Sequence, residues 1–210
     1  MLDFNILAAV VAAYLIGSLS FAVIVSRIMG LDDPRSYGSK NPGATNVLRS
    51  GSKKAAAATL LLDAVKGWLP VWVVSQWGAG WGLGDGALAA VGIAAFLGHL
   101  FPVFFRFKGG KGVATAAGVL IGFEPLLGLA TLGSWLFVAL VLKYSSLAAV
   151  VAALFAPGFY ILASGEGWAW YGSAPVALAV TLMSLLLLWR HRGNISRLLA
   201  GQEGKIGSKK

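Results

Sequence analysis

Residues 4–26 read FNILAAVVAAYLIGSLSFAVIVS and contain no charged side chain. Because a helix rises about 1.5 Å per residue, this stretch is long enough to cross the roughly 30 Å hydrocarbon core of a bilayer. A cleavable signal peptide would begin with basic residues, whereas here Asp3 precedes the apolar run and the first cation is Arg27. The sequence therefore predicts a retained transmembrane helix from Phe4 to Ser26.

The whole chain has the composition of a membrane protein. Of its 210 residues, 58% are hydrophobic and 12% are charged, with a mean hydropathy of +0.78. These values exclude a disordered chain, a secreted disulfide scaffold and a cytosolic nucleic-acid-binding protein. The absence of cysteine excludes thiolate nucleophiles and cysteine-ligated metals. We expect one all-α, polytopic integral membrane domain over residues 1–210, without a nucleic-acid partner.

Six further apolar stretches follow, at residues 55–77, 87–105, 112–123, 126–142, 147–164 and 170–189. The stretch from Gly112 to Phe123 is short for a span and could be a tilted helix or a re-entrant segment. If all seven stretches cross, sixteen of the seventeen Lys and Arg residues lie on one side, and the other side holds Asp3, Asp85, Glu124 and Glu166. The positive-inside rule then predicts seven spans in a bacterial inner membrane, with a periplasmic N-terminus and a cytoplasmic C-terminus.

The first cytoplasmic loop, residues 30–54, reads GLDDPRSYGSKNPGATNVLRSGSKK and has no apolar periodicity. Ser39, Thr45 and Asn46 offer short hydrogen-bonding side chains, Arg49 offers charge, and Gly43 allows close backbone approach. Such a loop suits an anion-binding turn. The same residue types are equally typical of a solvated turn with helix caps, so composition leaves both interpretations open.

The second loop reads HLFPVFFRFKGGKGVAT from His99 to Thr115 and places lysines around a glycine pair at the start of an apolar segment. A phosphate at a helix N-terminus gains backbone and lysine contacts together. A nucleotide P-loop does not fit, because Phe105 occupies its first glycine position and Gly112 stands where Ser or Thr should follow Lys111.

Charges also occur at the end of the last span and inside the second. The tail RHRGNISRLLAG begins at Arg190, where arginines that snorkel to the interface would explain the pattern without any function. Asp63 and Lys66 lie three residues apart on one helical face within a span. We expect them to form an internal ion pair that orients the second span, in preference to a direct role in chemistry.

Several enzyme classes are excluded by motif. The His-x4-Asp pair of soluble and eukaryotic-type glycerolipid acyltransferases is absent, since five residues after His99 stands Phe104, and five after His191 stands Ser196. No H-E-x-x-H or G-x-S-x-G motif occurs, and carboxylates are scarce in the cytoplasmic loops, so we expect no metal site. A site rich in cations and poor in acids suits a multiply anionic substrate that supplies its own base.

Three long motifs in this order, GSKNPGATNVLR, GHLFPVFFRFKGGKGVAT and RHRGNISRLLAG, resemble those of the bacterial acyl-phosphate:glycerol-3-phosphate acyltransferases, the PlsY family. GSLSFA in the first span and DAVKG in the second extend the resemblance from about Tyr14 to Gly201. Lys40 stands where the family often has Gly, and Gly193 where an acidic residue is common. Neither departure removes a matched cation or amide.

The resemblance implies transfer of an acyl chain from acyl phosphate to the 1-hydroxyl of glycerol 3-phosphate, giving lysophosphatidic acid and phosphate in the first step of phospholipid synthesis. It implies no cofactor, and we expect membrane lipids but no obligate protein partner. The residues matched to glycerol 3-phosphate binding and catalysis are Ser39, Arg49, Lys108, His191 and Asn194. Those matched to the cradle for acyl phosphate are Gly43, Ala44, Thr45, Asn46, Gly109, Gly110 and Lys111.

Two other functions fit the charge pattern. An organic-phosphate transporter or flippase would also use intramembrane charges, but it should carry them near the midplane and show related halves, and no repeat is visible. A lipid-binding scaffold would not need so many glycine-bounded donors. For the acyltransferase, we expect the acyl chain to lie between spans, in a pocket lined by small residues such as Gly17, Ala22 and Gly118.

Overall fold

The computed structural model describes residues 4–207, so Asp3, Lys209 and Lys210, which entered the charge count, lie outside the described residues. Within this range the chain forms ten α-helices and no β-strand, which confirms the predicted all-α class. The helices are α1 (Phe4–Gly17), α2 (Phe21–Ile28), α3 (Ala44–Val47), α4 (Lys53–Trp77), α5 (Asp85–Leu100), α6 (Val113–Phe123), α7 (Pro125–Val141), α8 (Ser145–Ala163), α9 (Ala174–Arg190) and α10 (Arg192–Leu199).

The apolar stretches of the sequence coincide with helices of the structure. In the described part of the chain, three segments are long and apolar enough to cross a membrane: Lys53–Trp81, which contains α4, Asp85–Phe105, which contains α5, and α8. The number rises to five if each of the bent pairs α1–α2 and α9–α10 is counted as one span. The shorter apolar helices α6 and α7 account for the two remaining predicted spans. Large apolar side chains such as Phe137, Leu140 and Leu162 point outward, as lipid contact requires. The chain is a multi-pass membrane protein, and the seven crossings and their orientation stay predictions.

The first span is not the continuous helix that was predicted. It breaks between Gly17 and Phe21, and α1 and α2 meet at a bend of 44°. The break frees the Leu19 carbonyl, which accepts a hydrogen bond of 2.6 Å from Lys66 Nζ. Because an unpaired carbonyl in hydrocarbon is costly, this lysine makes the break possible. Lys66 Nζ also lies 2.7 Å from Asp63 Oδ1, which confirms the predicted internal ion pair.

Small residues serve as contact points between helices. A Cβ atom at Gly118 would collide with the Ala64 carbonyl of α4, and one at Gly17 would collide with the Ala95 carbonyl of α5. Ala22 is completely buried. Close packing of this kind stabilises helix pairs in membranes and fills the space between them. The predicted acyl pocket at Gly17, Ala22 and Gly118 is therefore wrong.

The cation-bearing segments meet at one end of the helix bundle. The Arg190 guanidinium at the end of α9 donates to the Gly110 carbonyl of the second loop. The Arg35 guanidinium of the first loop lies 5.8 Å from the centre of the Phe105 ring. In the tail, the Ile206 amide donates to the Lys143 carbonyl between α7 and α8. These contacts bring together the segments that the charge count placed on one side of the membrane.

Candidate active site

The first loop is organised around Asn46, a side chain that is 2% exposed. Its Nδ2 donates to the carbonyls of Pro34 (2.6 Å) and Tyr37 (3.2 Å), and its Oδ1 accepts the Ser39 amide at 3.0 Å. The side chain therefore bonds within the loop and closes residues 34–46 into a fixed turn. Such hydrogen bonds satisfy buried backbone groups that no regular element pairs.

Two candidate residues lie exposed beside Asn46. Arg49 Nη1 approaches Asn46 Oδ1 at 3.4 Å, and Ser39 is held there through its amide. Gly38 between them has φ +57°, and a Cβ at this position would collide with Asn46 Oδ1. The turn thus needs a glycine, and it presents the Ser39 hydroxyl and the Arg49 guanidinium on the same exposed rim.

Residues 43–46 form the start of α3. The Gly43 carbonyl accepts the amides of Asn46 (2.9 Å) and Val47 (3.0 Å), so the amides of Ala44 and Thr45 precede the first helical hydrogen bond. Thr45 is exposed. These groups are donors that a bound anion could use.

The Gly109–Gly110 segment of the second loop is held in place by Arg190. The guanidinium Nη2 donates to the carbonyls of Gly109 and Gly110, both at 2.8 Å, and Nε donates to the Gly110 carbonyl at 3.1 Å. A planar guanidinium can bind two adjacent carbonyls in this way, whereas an ammonium cannot. The sequence had assigned Arg190 to snorkelling. The first position of the third motif, which Arg190 occupies, was the feature of the sequence that could have indicated a role in the site.

Helix α6 begins at Val113, two residues after Lys111, so a cation and a helix start lie together as the sequence predicted. Gly112 caps the helix in the left-handed region (φ +89°), and its carbonyl accepts the Ala116 amide at 2.7 Å. The amides of Val113, Ala114 and Thr115 precede that bond and have no acceptor within the helix. Unpaired amides and the partial positive charge of the helix N-terminus make this position favourable for a phosphate.

A hydrogen-bonded chain of polar side chains connects the second loop to the tail. Lys111 Nζ donates to Asn194 Oδ1 at 2.5 Å, and Asn194 Nδ2 donates to Glu203 Oε1 at 2.6 Å. Arg197 Nε donates to the other carboxylate oxygen of Glu203 at 2.7 Å. Burial alone would raise the pKa of Glu203, but the hydrogen bonds from Asn194 and Arg197 outweigh it and lower that pKa. Glu203 was not predicted as a site residue.

Burial lowers the pKa of Lys111 and that of His191, which lies near these hydrogen bonds. It lowers the pKa of Lys111 to about 8, and the charges of Arg197, Arg190 and Arg49 act in the same direction. Burial also lowers the pKa of His191 to about 4, with a smaller contribution from Lys111.

The surroundings of His191 fix its tautomer. Nδ1 lies 2.8 Å from the Leu187 carbonyl, which can only accept a hydrogen bond, so Nδ1 carries the proton. In the neutral ring Nε2 is then an acceptor.

The predicted residues occupy two zones of one region. His191 and Asn194 are buried with Gly109 and Gly110, and Lys111 is half-buried among them. The residues on the exposed rim are Ser39, Thr45, Arg49 and Lys108. Within residues 4–207 no three His, Asp or Glu side chains gather as metal ligands. The arrangement offers cations and amides, the groups that stabilise phosphate charge.

Residues 7–201 match the family described as Glycerol-3-phosphate acyltransferase. The glycerol-3-phosphate acyltransferase of Paraburkholderia phytofirmans is 64% identical over 206 residues, which cover 98% of this chain and 92% of the relative. That of Albidiferax ferrireducens is 60% identical over 209 residues, with coverages of 100% and 92%.

The fold is also similar to that of a solved protein. The crystal structure of PlsY (YgiH), an integral membrane glycerol 3-phosphate acyltransferase, in its glycerol 3-phosphate form has a TM-score of 0.86. The two chains are 38% identical, and the match covers 97% of this chain and 96% of that one. The lysophosphatidic acid form of PlsY gives a TM-score of 0.84 at 37% identity.

Proposed function

The chain belongs to the glycerol-3-phosphate acyltransferase family, the PlsY family, and on that premise we propose that it transfers an acyl chain from acyl phosphate to the 1-hydroxyl of glycerol 3-phosphate. The products are lysophosphatidic acid and inorganic phosphate, and the reaction is the first step of phospholipid synthesis. The enzyme is an acyltransferase. The identity of the donor, acyl phosphate, is the part of the proposal that goes beyond membership of the family.

The observation that carries the donor assignment is the geometry of residues 109–115. Arg190 binds the two glycine carbonyls, Lys111 lies beside them, and the unpaired amides of α6 follow directly. A mixed anhydride is already activated, so the enzyme has mainly to align the acceptor hydroxyl with the acyl carbon and to neutralise about three or four negative charges. Cations and oriented amides supply that neutralisation without a metal or a nucleophile.

The candidate residues divide between the two substrates. Those proposed to bind glycerol 3-phosphate are Ser39, Arg49, Lys108, His191 and Asn194, and those proposed to cradle acyl phosphate are Gly43, Ala44, Thr45, Asn46, Gly109, Gly110 and Lys111. Asn46 contributes through its backbone and by holding the loop, because its side chain is bonded to Pro34 and Tyr37. Ser39 and Thr45 offer hydroxyls, and Arg49, Lys108 and Lys111 offer cations to the two phosphates. His191 offers a neutral ring nitrogen, and the Gly110 amide is bonded to the His99 carbonyl.

The low pKa of His191 supports a mechanism in which a substrate phosphate takes the proton. At a pKa of about 4 the His191 ring is neutral near pH 7. Its Nε2 can therefore accept a hydrogen bond from glycerol 3-phosphate, but it is a weak base. The 1-hydroxyl oxygen bonds to the acyl carbon and the bond from that carbon to the phosphate oxygen breaks. The hydroxyl proton passes to a phosphate oxygen, and inorganic phosphate leaves.

We place the enzyme in the bacterial inner membrane with its active site on the cytoplasmic side, as a single domain over residues 1–210. Glycerol 3-phosphate then enters from the cytoplasm, and the acyl chain of the donor stays among the helices. The cation-bearing loops meet at one end of the bundle, which supports this orientation.

Turnover by purified protein tests the proposal. Acyl phosphate and glycerol 3-phosphate should together give stoichiometric phosphate and lysophosphatidic acid, and omission of glycerol 3-phosphate should abolish acyl transfer. Failure with acyl phosphate together with activity with acyl-CoA would overturn the donor assignment. Movement of an organic phosphate across a vesicle without acyl transfer would support the transporter instead.

A further inference from the structure

His99, near the end of α5, contacts the Gly109–Gly110 segment. Its carbonyl accepts the Gly110 amide at 3.2 Å. Its ring occupies the space beside Gly110 so closely that a Cβ atom there would collide with Nε2. His99 is 7% exposed. Backbone and side chain of one residue therefore both limit where Gly110 can lie.

The His99 ring lies beside the buried ion pair of α4. His99 Nδ1 lies 3.7 Å from Asp63 Oδ1, and Asp63 is paired with Lys66 at 2.7 Å. Lys66 donates to the Leu19 carbonyl at the break of the first span. Buried charges of this kind are costly unless they are paired, so their positions are tightly coupled. Buried polar side chains thus lie in sequence between the α1–α2 break and the glycine segment.

We propose that His99 is a positioning residue for the acyl donor. The ring, oriented by Asp63 and Lys66, prevents Gly110 from moving away from the site, while Arg190 holds the glycine carbonyls. Clamped from two sides, the segment keeps the amides around Lys111 and the start of α6 directed at the donor phosphate. This inference rests on the proposed function, since it assumes that acyl phosphate binds there. A displacement on the order of 1 Å in such a cradle is enough to lower turnover strongly.

Donor kinetics of His99→Ala test the inference. We expect the KM for acyl phosphate to rise about tenfold or more and the KM for glycerol 3-phosphate to change by less than about twofold. His99→Gln, which keeps an amide group near the position of Nε2, should show a smaller rise, and it serves as the variant to measure if His99→Ala does not fold. Equal changes in both KM values, or a loss of activity that follows only the amount of folded protein, would overturn the proposal.

Tyr160→Phe provides a matched control. Tyr160 is also a buried aromatic side chain with a polar group, but its hydroxyl bonds to the backbone of Ser173 near the N-terminal end of α9, away from the cation-bearing loops. The variant should lower the unfolding temperature and leave both KM values unchanged. An altered donor KM in this variant would mean that general destabilisation explains the His99 result.

A double-mutant cycle tests the contact itself. Gly110→Ala should impair donor binding, partly because the new methyl group collides with the His99 ring. Removal of the ring in His99→Ala/Gly110→Ala relieves that collision. The loss of donor binding in the double variant should therefore be clearly smaller than the product of the fold-losses in the two single variants. The Pro42 carbonyl also lies near the added methyl, so the relief is partial. Strictly multiplicative losses would contradict a direct contact.

Hydrogen exchange separates this inference from the assignment of the reaction. In His99→Ala the peptide covering residues 106–116 should exchange faster than in wild type, and a peptide from α8 should not. This comparison requires no turnover. If wild type fails to use acyl phosphate, the proposed function fails, whereas unchanged exchange in residues 106–116 removes the positioning role whichever donor the enzyme uses.

Discussion

Arg49 and Lys111 both contribute positive charge to the candidate site, but they differ in exposure. Arg49 is exposed on the first loop and touches the buried Asn46 amide through one guanidinium nitrogen at 3.4 Å. Lys111 is half-buried, and its ammonium donates to Asn194. Burial lowers the pKa of Lys111 to about 8, so its charge depends on pH just above neutrality. The two cations should therefore respond to different experiments.

Arg49→Lys should strongly reduce activity. If the planar guanidinium binds the phosphate of glycerol 3-phosphate with two parallel hydrogen bonds, an ammonium cannot replace it. We expect a loss of about 2 kcal/mol or more in transition-state stabilisation, measured as kcat/KM for glycerol 3-phosphate. Lys53→Arg is a suitable control, because Lys53 is the first residue of α4 and is not one of the candidate site residues. Wild-type kinetics for folded Arg49→Ala would refute the assignment.

The pKa of Lys111 predicts how activity depends on pH. A pKa of about 8 means that the ammonium is charged below this pH and loses its proton as the pH rises through it. The value of kcat/KM for acyl phosphate should therefore fall above about pH 8. A bound phosphate raises the pKa of the lysine, so kcat should fall only at higher pH.

Lys111→Arg tests the origin of that alkaline limb. An arginine keeps its charge, so the limb should move upward by more than about one pH unit even if overall activity is reduced. A limb that stays at the same pH in the variant would assign it to another group. The pH dependence of the wild-type activity would then not require a lysine with a lowered pKa.

At the scale of elements, the sequence predicted the long helices because hydrocarbon requires continuous apolar segments. The predicted stretch 87–105 agrees with the candidate span Asp85–Phe105, although α5 itself ends at Leu100, before Pro102, and a 3-10 turn at Val103–Phe105 completes the span. The pattern could not reveal the break after Gly17, because the residues on both sides are apolar and the compensating donor, Lys66, comes from another helix. Helix α10 was missed because a short, polar segment carries no hydropathy signal.

The same reasoning explains the site. Motif spacing identified loops that converge and predicted the start of α6, because both are local features of the chain. The clamp on the glycine segment depends on Arg190 and His99, which reach it from two different helices. Such tertiary contacts have no spacing rule, so the sequence alone could identify these side chains only as an interface arginine and a histidine at the end of a span.

The Arg190 clamp gives a prediction for the second loop. Arg190→Lys should raise the KM for acyl phosphate by about fivefold or more, because an ammonium cannot bind both glycine carbonyls at once. Arg192→Lys is the matched control, since that guanidinium is exposed and lies over the Trp189 ring at 4.9 Å. Kinetics of the control should stay near wild type. Equal effects of the two substitutions would show that basic charge alone, and not the clamp, matters.

At the scale of the molecule, the two ends of the helix bundle differ in charge. Contacts among the loops and the tail gather basic residues at one end of the bundle, as with Arg190 on Gly110 and Arg35 over Phe105. The cavity at the other end, of about 400 Å³, is lined by Asp85 and Glu124 among aromatic side chains. A phosphorylated substrate would be attracted to the first end and repelled from the second. Orientation in the membrane therefore decides which compartment supplies the substrate.

Labelling of single cysteines can determine this orientation, because the chain contains no cysteine of its own. Cysteines introduced at Gly84 and Gly167 should react with a membrane-impermeant reagent in intact cells whose outer membrane has been permeabilised. Cysteines at Ser50 and Gly201 should react only after the inner membrane is opened. All four positions are exposed, so burial does not explain a lack of reaction. Opposite sides for residues 50 and 201 would mean that one span fewer crosses, with α6 re-entrant, and the tail would then be separated from the first loop. The Lys111–Asn194 contact argues against that outcome, because it requires the second loop and the tail to lie on the same side.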